Sequence, residues 1–205
     1  MDDRIEWAVG EFESAGVAAS WSTGPLRTPG DLSERLVDHG FEVAEDLPWM
    51  AADLDNTLEA GEAPTGLVIE EVRTLQLHDA WVTAMVEGFE SDDGRETLDA
   101  LGRHELERGE GSWVRFVGLV DDRPVASAGV SLAGGVAGIY NVATLPTMRA
   151  RGFGTAMSRT AMRRARELGY GFAVLGSSDA GRGVYEGLGF RDVCTTRILE
   201  WKPSG

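Results

Sequence analysis

The stretch from Asn141 to Leu168, NVATLPTMRARGFGTAMSRTAMRRAREL, limits what this chain can fold into more than any other. An uncharged extended segment enters a loop of Arg149, Ala150, Arg151, Gly152, Phe153 and Gly154 and leaves it as a helix. A strand-to-helix junction of this kind gathers several backbone N–H groups at one point, where the helix dipole also favours negative charge. Gly152 and Gly154 lack a Cβ, so the backbone can approach an anion closely. Thr155 adds a hydroxyl in the first turn. The loop reads as a phosphate cradle.

Charge is distributed in a way that supports an anionic ligand there. Residues 1–66 hold 15 acidic and 3 basic side chains, residues 67–110 hold 12 and 4, and residues 111–205 hold 7 and 12. The cradle lies in the basic third of a chain whose net charge is −15. Focused fields concentrate oppositely charged ligands, so a cationic partner near 67–110 is the complementary expectation, against the plainer reading that an acidic surface aids solubility. Nucleic acid is disfavoured, because no basic stripe is interleaved with aromatics. A membrane span is disfavoured as well: the longest uncharged run, Pro124 to Met148, is interrupted by Gly134-Gly135 and fits a buried β-hairpin. The single cysteine, Cys194, allows no intramolecular disulfide and is expected to be buried and inert. The start MDDRIEWAVGEFES is acidic without an apolar core, unlike a secretory signal, and a cytoplasmic setting is expected.

Periodicity and turn signals give the following order. Val17–Ser22 is a strand, Leu32–His39 a helix capped by Asp31, and Phe41–Leu54 strand-like with an interruption at Pro48. Glu59–Gly66 is a polar, turn-rich linker, placing a domain boundary near 62–66, with a small unit at 1–62 and the main domain at 63–205. From Leu67 onward the order is strand (67–74), helix (75–89), helix (96–108), strands at 113–120, 125–132 and 136–145, helix (155–168), strand (170–176), helix (180–188) and strand (190–201). This is an α/β sandwich in which three antiparallel strands precede a crossover to a parallel neighbour. Sliding the chain by 149 positions sets His39-Gly40-Phe41 on Leu188-Gly189-Phe190, and Leu36 on Tyr185. Either the N-terminal unit is a degenerate half-copy of the last third of the chain, or Gly-Phe after a helix is chance punctuation.

Read with Tyr185-Glu186-Gly187-Leu188-Gly189-Phe190, the cradle resembles the site of the GNAT superfamily of N-acetyltransferases. Arg149, Gly152 and Gly154 match its R/Q-x-x-G-x-G/A signature, and Tyr185 to Phe190 match its Y-x-x-L-G-F segment without gaps. The resemblance covers about 67–201 and implies a mixed, mostly antiparallel sheet flanked by helices, with splayed parallel central strands. It also implies acetyl-CoA as cosubstrate, with its pyrophosphate on the loop from Arg149 to Thr155 and backbone contacts expected ahead of the arginine side chains. Its pantetheine arm would bond main chain near Ala143 and Thr144, between strands at 140–145 and 171–176, where an N–H could also stabilise the oxyanion. A neutral amine attacks directly, and Tyr185, with an ordinary pKa of about 10, is placed to protonate the leaving thiolate.

Two positions depart from the pattern. Ala150 stands where the family usually has Gly. Ser178 stands near the start of the Tyr185 helix, where an Asn often bonds the cofactor arm; it serves either as a substitute donor or as a helix cap. The general base is not readable: Glu87 and Glu90 are candidates, while His39, His78 and His104 suit packing or surface roles and suggest no metal. The acceptor, a small-molecule amine or a peptide, is chosen elsewhere in the chain. A non-catalytic CoA-binding module is the alternative. A Rossmann or P-loop site is not supported, because the third glycine and a Gly-Lys-Ser/Thr are missing. The N-terminal unit must bury an apolar face against the main domain of its own chain or a partner's, the latter giving a homodimer.

Overall fold

Ile5, Val9 and Phe12 recur four and three residues apart, and they line the inner side of a first helix, α1 (Asp2–Ala15), which Gly16 ends in the left-handed region at φ 64°. This computed structural model describes residues 1–57, 61, 63–109 and 111–203. After α1 follow β1 (Ala19–Thr23), α2 (Leu32–Asp38), β2 (Glu42–Asp53), α3 (Leu54–Thr57), β3 (Val68–Glu71), α4 (Leu75–Phe89), α5 (Arg95–Arg108) and β4 (Trp113–Val120). Then come β5 (Arg123–Ala133), β6 (Val136–Thr144), a 3-10 turn at Pro146–Met148, α6 (Phe153–Glu167), β7 (Phe172–Gly176), α7 (Asp179–Gly187) and β8 (Arg191–Trp201). The expected order from residue 67 is the order found. The proposed linker falls partly on residues 59, 60 and 62, which lie outside the described residues.

The chain divides into one unit of Met1–Met50, Gly176–Asp179 and Asp192–Gly205 and another of Ala51–Leu175 and Ala180–Arg191. In the first, β1 pairs antiparallel with β8, setting Trp21 opposite Leu199. Ile5, Leu32, Leu36 and Phe41 close over Leu199 and Trp201 to form its core. Fully burying side chains of this size stabilises by roughly 1.5–3 kcal/mol each. Two local expectations change here. Asp31 sits at the N-cap of α2 but makes no capping hydrogen bond; its carboxylate pairs instead with Arg35, one turn on, at 2.9 Å. Pro48 does not interrupt β2, because a proline still offers its carbonyl, which accepts from Ser177 N–H at 2.9 Å. Cys194, expected to be buried, is half-buried in β8.

Arg35 also grips Asp2 at 2.7 Å, tying α1 to α2. Its hydrogen bonds hold the carboxyls of both Asp2 and Asp31 below the ordinary 3.8. Depressed folded-state values mean that the unfolded chain binds more protons as pH falls, so this contribution is present above about pH 4 and lost as pH falls through the depressed values. The acid limb of thermal stability, measured from pH 5 to pH 2, is accordingly expected to flatten in Asp31→Asn. An unchanged limb would show that the pair adds nothing.

The second unit is a sheet of order β7-β6-β5-β4-β3, antiparallel except for the parallel β6–β7 pair. Val117 packs in a cluster with Trp81, Val82 and Met85 of α4. The next residue, Gly118, lies against the Met157 sulfur of α6, where a Cβ would come within 3.1 Å. Successive strand residues face opposite sides, so α4 and α6 cover opposite faces. Thr74, expected to end a strand, caps α4 by accepting from Leu77 N–H at 3.2 Å. Two irregularities shape the sheet beside α4. The β5–β6 register shifts between Ser127 and Gly129, so that Asn141 and Val142 together oppose Ala128, and Asn141 lies in the left-handed region at φ 52°. The parallel β6–β7 ladder consists of Ala137 with Ala173 and Gly138 with Val174, after which β6 continues to Thr144.

Candidate functional site

The loop after β6 takes two left-handed residues in close succession, Ala150 at φ 59° and Gly152 at φ 80°. The family's usual glycine has its reason at the first of these: alanine adopts this conformation at a cost of about 1–2 kcal/mol, which glycine avoids. Gly152 is the N-cap of α6 and makes no side-chain cap, and the first turn carries no acidic residue. The N–H groups of Phe153, Gly154 and Thr155 precede the helical ladder, and the first bond closing it is Ala156 N–H to Gly152 C=O at 3.0 Å. The helix end therefore keeps uncapped the donors that a Ser or Asp cap would otherwise take. Phe153 turns into the core and is buried. A Cβ at Gly154 would meet only Thr144 Oγ1, at 3.8 Å, so the turn stands beside the end of β6 with open space on its outer side.

At that end of β6, Leu145 N–H donates to Val125 C=O of β5 at 3.0 Å. N–H directions alternate along an extended chain, so Ala143 N–H also faces β5 and Thr144 N–H faces the side where β7 has departed. Gly88 in α4 lies so close that a Cβ would stand 2.8 Å from Ala143 Cβ and 3.1 Å from Thr144 N. Arg149 bonds to the protein itself. Its guanidinium donates to Thr144 C=O at 3.2 Å and Gly88 C=O at 2.8 Å and pairs with Glu90 at 3.2 Å, fastening the α4 C-terminus to the loop. Arg151 is exposed and reaches Thr147 C=O at 3.5 Å. Of the base candidates, Glu90 is engaged by Arg149 and Glu87 is exposed; both flank the Gly88 contact.

Tyr185 stands on α7 with its ring edge-on to Phe190 at 5.9 Å. It is buried, and desolvation raises its pKa above the ordinary 10.0, keeping the phenol protonated. Ser178 belongs to the other unit, and its carbonyl accepts from the Ser177 hydroxyl at 3.0 Å. Ala143, Thr144, Arg149 and Gly154 are thus gathered at one point, with Ala150 and Gly152 shaping the turn. His78 is fully buried, stacked on Trp81 and bonded through Nε2 to Asp99 at 3.1 Å, a packing role. Among the described residues no group of side chains could hold a metal ion, and no helix is long and apolar enough to cross a membrane.

The sequence reading overlooked Gly88. A lone glycine inside an otherwise regular helical pattern is the signal that could have found it, since that position costs helix stability and calls for a packing reason.

An uncapped helix N-terminus thus stands beside a strand end that leaves its parallel neighbour, on a mixed, mostly antiparallel sheet flanked by helices. Residues 74–190 match the model of the acetyltransferase (GNAT) family, and the chain belongs to that family. A GCN5-related N-acetyltransferase from Kribbella flavida aligns over 100% of this chain and 77% of its own, at 22% identity and TM-score 0.75. The GCN5-related N-acetyltransferase from Sphaerobacter thermophilus aligns over 96% and 64%, at 20% identity and TM-score 0.72. A predicted acetyltransferase from Clostridium acetobutylicum, solved with acetyl-CoA, aligns over 62% of this chain and 91% of its own, at 19% identity and TM-score 0.54. At these identities the likeness is one of fold. No curated protein sequence matches the chain.

Proposed function

We propose that the protein transfers an acetyl group from acetyl-CoA to a primary amine. The observation that carries this reading is Thr144 N–H, turned out of the β5–β6 ladder on a strand end that β7 has left, beside a helix N-terminus without cap or acid. Acetyl-CoA supplies the activated acyl group and a pyrophosphate. The backbone N–H groups of the loop from Arg149 to Thr155 hold the pyrophosphate, and Thr144 N–H hydrogen-bonds the thioester oxygen as it gains negative charge. The neutral amine nitrogen bonds to the acyl carbon as the C–S bond breaks. Tyr185 gives its phenolic proton to the departing sulfur, and the acylated nitrogen loses one to solvent or a nearby carboxylate. Glu87, Asp92 and Asp93, exposed around the α4–α5 turn, favour a cationic acceptor. In the N-terminal unit, β1-α2-β2 repeats the strand–helix–strand order of β7-α7-β8, which supports a degenerate half-copy.

Calorimetric titration is expected to show one acetyl-CoA site of micromolar affinity. A thiol-release screen is expected to find turnover with cationic amines ahead of neutral ones. Binding without release over a broad amine panel would instead indicate a non-catalytic CoA module, and absence of binding would defeat both readings.

A further inference from the structure

We infer that Tyr140, with Trp113 behind it, is a specificity-determining platform for the acceptor, and that the acceptor is a primary amine carrying an aromatic ring on a short alkyl linker. The inference rests on the acyltransferase reading and adds to it the chemistry of the second substrate.

The platform is built on two glycines of the second unit. Arg115 is opposite Gly129 across β4 and β5, and Gly129 is opposite Tyr140 across β5 and β6. Opposed residues share a face of the sheet, and the Arg115 guanidinium stands 5.5 Å from the ring centre of Trp81 in α4, so Tyr140 lies on the α4 side. A Cβ at Gly138 would stand 2.5 Å from Tyr140 Cε2, and one at Gly129 would stand 3.3 Å from Trp113 Cζ3. Both rings thus lie over bare backbone. Trp113 is fixed by the Arg115 guanidinium, 5.8 Å from its ring centre, and Arg115 is itself buried and paired with Glu105 of α5 at 2.7 Å. The centres of the Trp113 and Tyr140 rings are 5.4 Å apart, with their planes at 50°.

The platform faces solvent. Tyr140 is 38% exposed, whereas Trp81 on the same side is 0% exposed. Across the parallel pair Gly138 is opposite Val174, which sets Phe172, two residues earlier, on this face as well, and Phe172 is 53% exposed. Val136, two residues before Gly138, is also exposed. Open aromatic and aliphatic surface gathered on one sheet face marks a binding surface.

Position within the site says what is bound. Tyr140 precedes Thr144 by four residues of β6, at most about 14 Å of strand. Glu87, which is exposed, adjoins Gly88, whose own contacts are Ala143 and the Thr144 nitrogen. An ammonium group is drawn to that carboxylate, and a ring on the same molecule reaches Tyr140. A polyamine gains nothing from the apolar half of this surface, whereas an aryl group gains more than the area it buries, because edge-on and offset ring pairs attract.

Thiol release is compared for 2-phenylethylamine, n-butylamine and putrescine in the full chain. Wild type is expected to favour the aryl amine in kcat/KM by about fivefold or more, mostly through the amine KM. Tyr140→Phe keeps the ring and should keep the preference. Tyr140→Ala should reduce it to less than about twofold. Gly138→Ala, which lifts the ring without removing it, should do the same and carries the test if Tyr140→Ala melts below the assay temperature. Equal use of n-butylamine by wild type, or an undiminished preference in the folded variant, overturns the proposal. Saturation-transfer NMR of 2-phenylethylamine, with and without CoA, gives a second readout that needs no turnover. Its ring protons are expected to take up saturation from wild type and to lose about threefold or more of it in the variant. Absent or unchanged ring saturation overturns the platform. Tyr140-dependent binding without thiol release from any amine would uphold it and defeat the acyltransferase reading.

Discussion

Gly154→Glu is expected to weaken acetyl-CoA binding at least 100-fold while leaving the melting temperature unchanged or raising it. The two halves of this result come from the same position. Gly154 lies in the first turn of α6 with ordinary helical backbone, and an added Cβ meets nothing nearer than Thr144 Oγ1 at 3.8 Å. Glycine in a helix costs about 0.5–1 kcal/mol relative to alanine, and a carboxylate at a helix N-terminus contributes about 0.3–1 kcal/mol. Folding therefore has no use for a bare Cα here. A ligand does: the new carboxylate would lie within about 4 Å of a bound phosphate, and like charges at that distance repel by roughly 4 kcal/mol at an effective dielectric of 20. Titration calorimetry and a thermal melt on one preparation settle both halves. Undiminished affinity would remove the α6 N-terminus from the binding site, and a lower melting temperature would give Gly154 a folding role.

Tyr185→Phe is expected to lower kcat between about 100- and 10,000-fold with the acetyl-CoA dissociation constant changed less than about threefold. The ring is buried against Phe190, so phenylalanine retains the packing and loses only the proton to be donated. Burial raises the phenol pKa, which keeps the acid form available through neutral and mildly alkaline pH. A folded-state value above the unfolded one makes a further, oppositely directed prediction. The stability it contributes is fully present below about pH 10 and lost as pH rises through the raised value. Wild-type melting temperature should therefore fall between pH 9.5 and pH 11 more steeply than that of Tyr185→Phe. Normal turnover in the variant would end the general-acid assignment.

Much of the second unit could be read from the chain because its signals are local. The apolar spacing of Leu75–Phe89, the Asp121-Asp122 turn and the Gly134-Gly135 hairpin each declare an element within a few residues, and the structure has them at those places. The turn at Gly152 and the start of α6 were legible for the same reason, since a glycine acts through its own backbone. What escaped was set by partners distant in sequence. Arg149 was placed on the loop as a side chain secondary to the backbone, but its partner in α4, the Gly88 carbonyl, lies 61 residues away and gave no local signal. Asp31 resembled a cap by its residue type, yet Arg35 offered it a charged partner. Asn141 in the middle of an apolar strand was the visible trace of the bulge, but the hydroxyl that bonds its carbonyl, that of Ser127, comes from the neighbouring strand. Helix α1 was missed because its narrow apolar stripe, Ile5, Val9 and Phe12, is diluted by acidic neighbours.

The core shared by Ile5, Leu36, Leu199 and Trp201 has a consequence for the order in which the protein can mature on the ribosome. The first fifty residues emerge early, but the strand they need is translated about 150 residues later. At 5–20 residues per second that is a wait of roughly 8 to 30 s. During it, Leu32, Leu36 and Phe41 have no β8 to close on, and the edge of β1 has no neighbour. Residues 51–175 carry a sheet whose neighbouring strands follow closely in sequence, so they can assemble inside that interval. Residues 1–50 are thus made before the sheet of the second unit and completed after it.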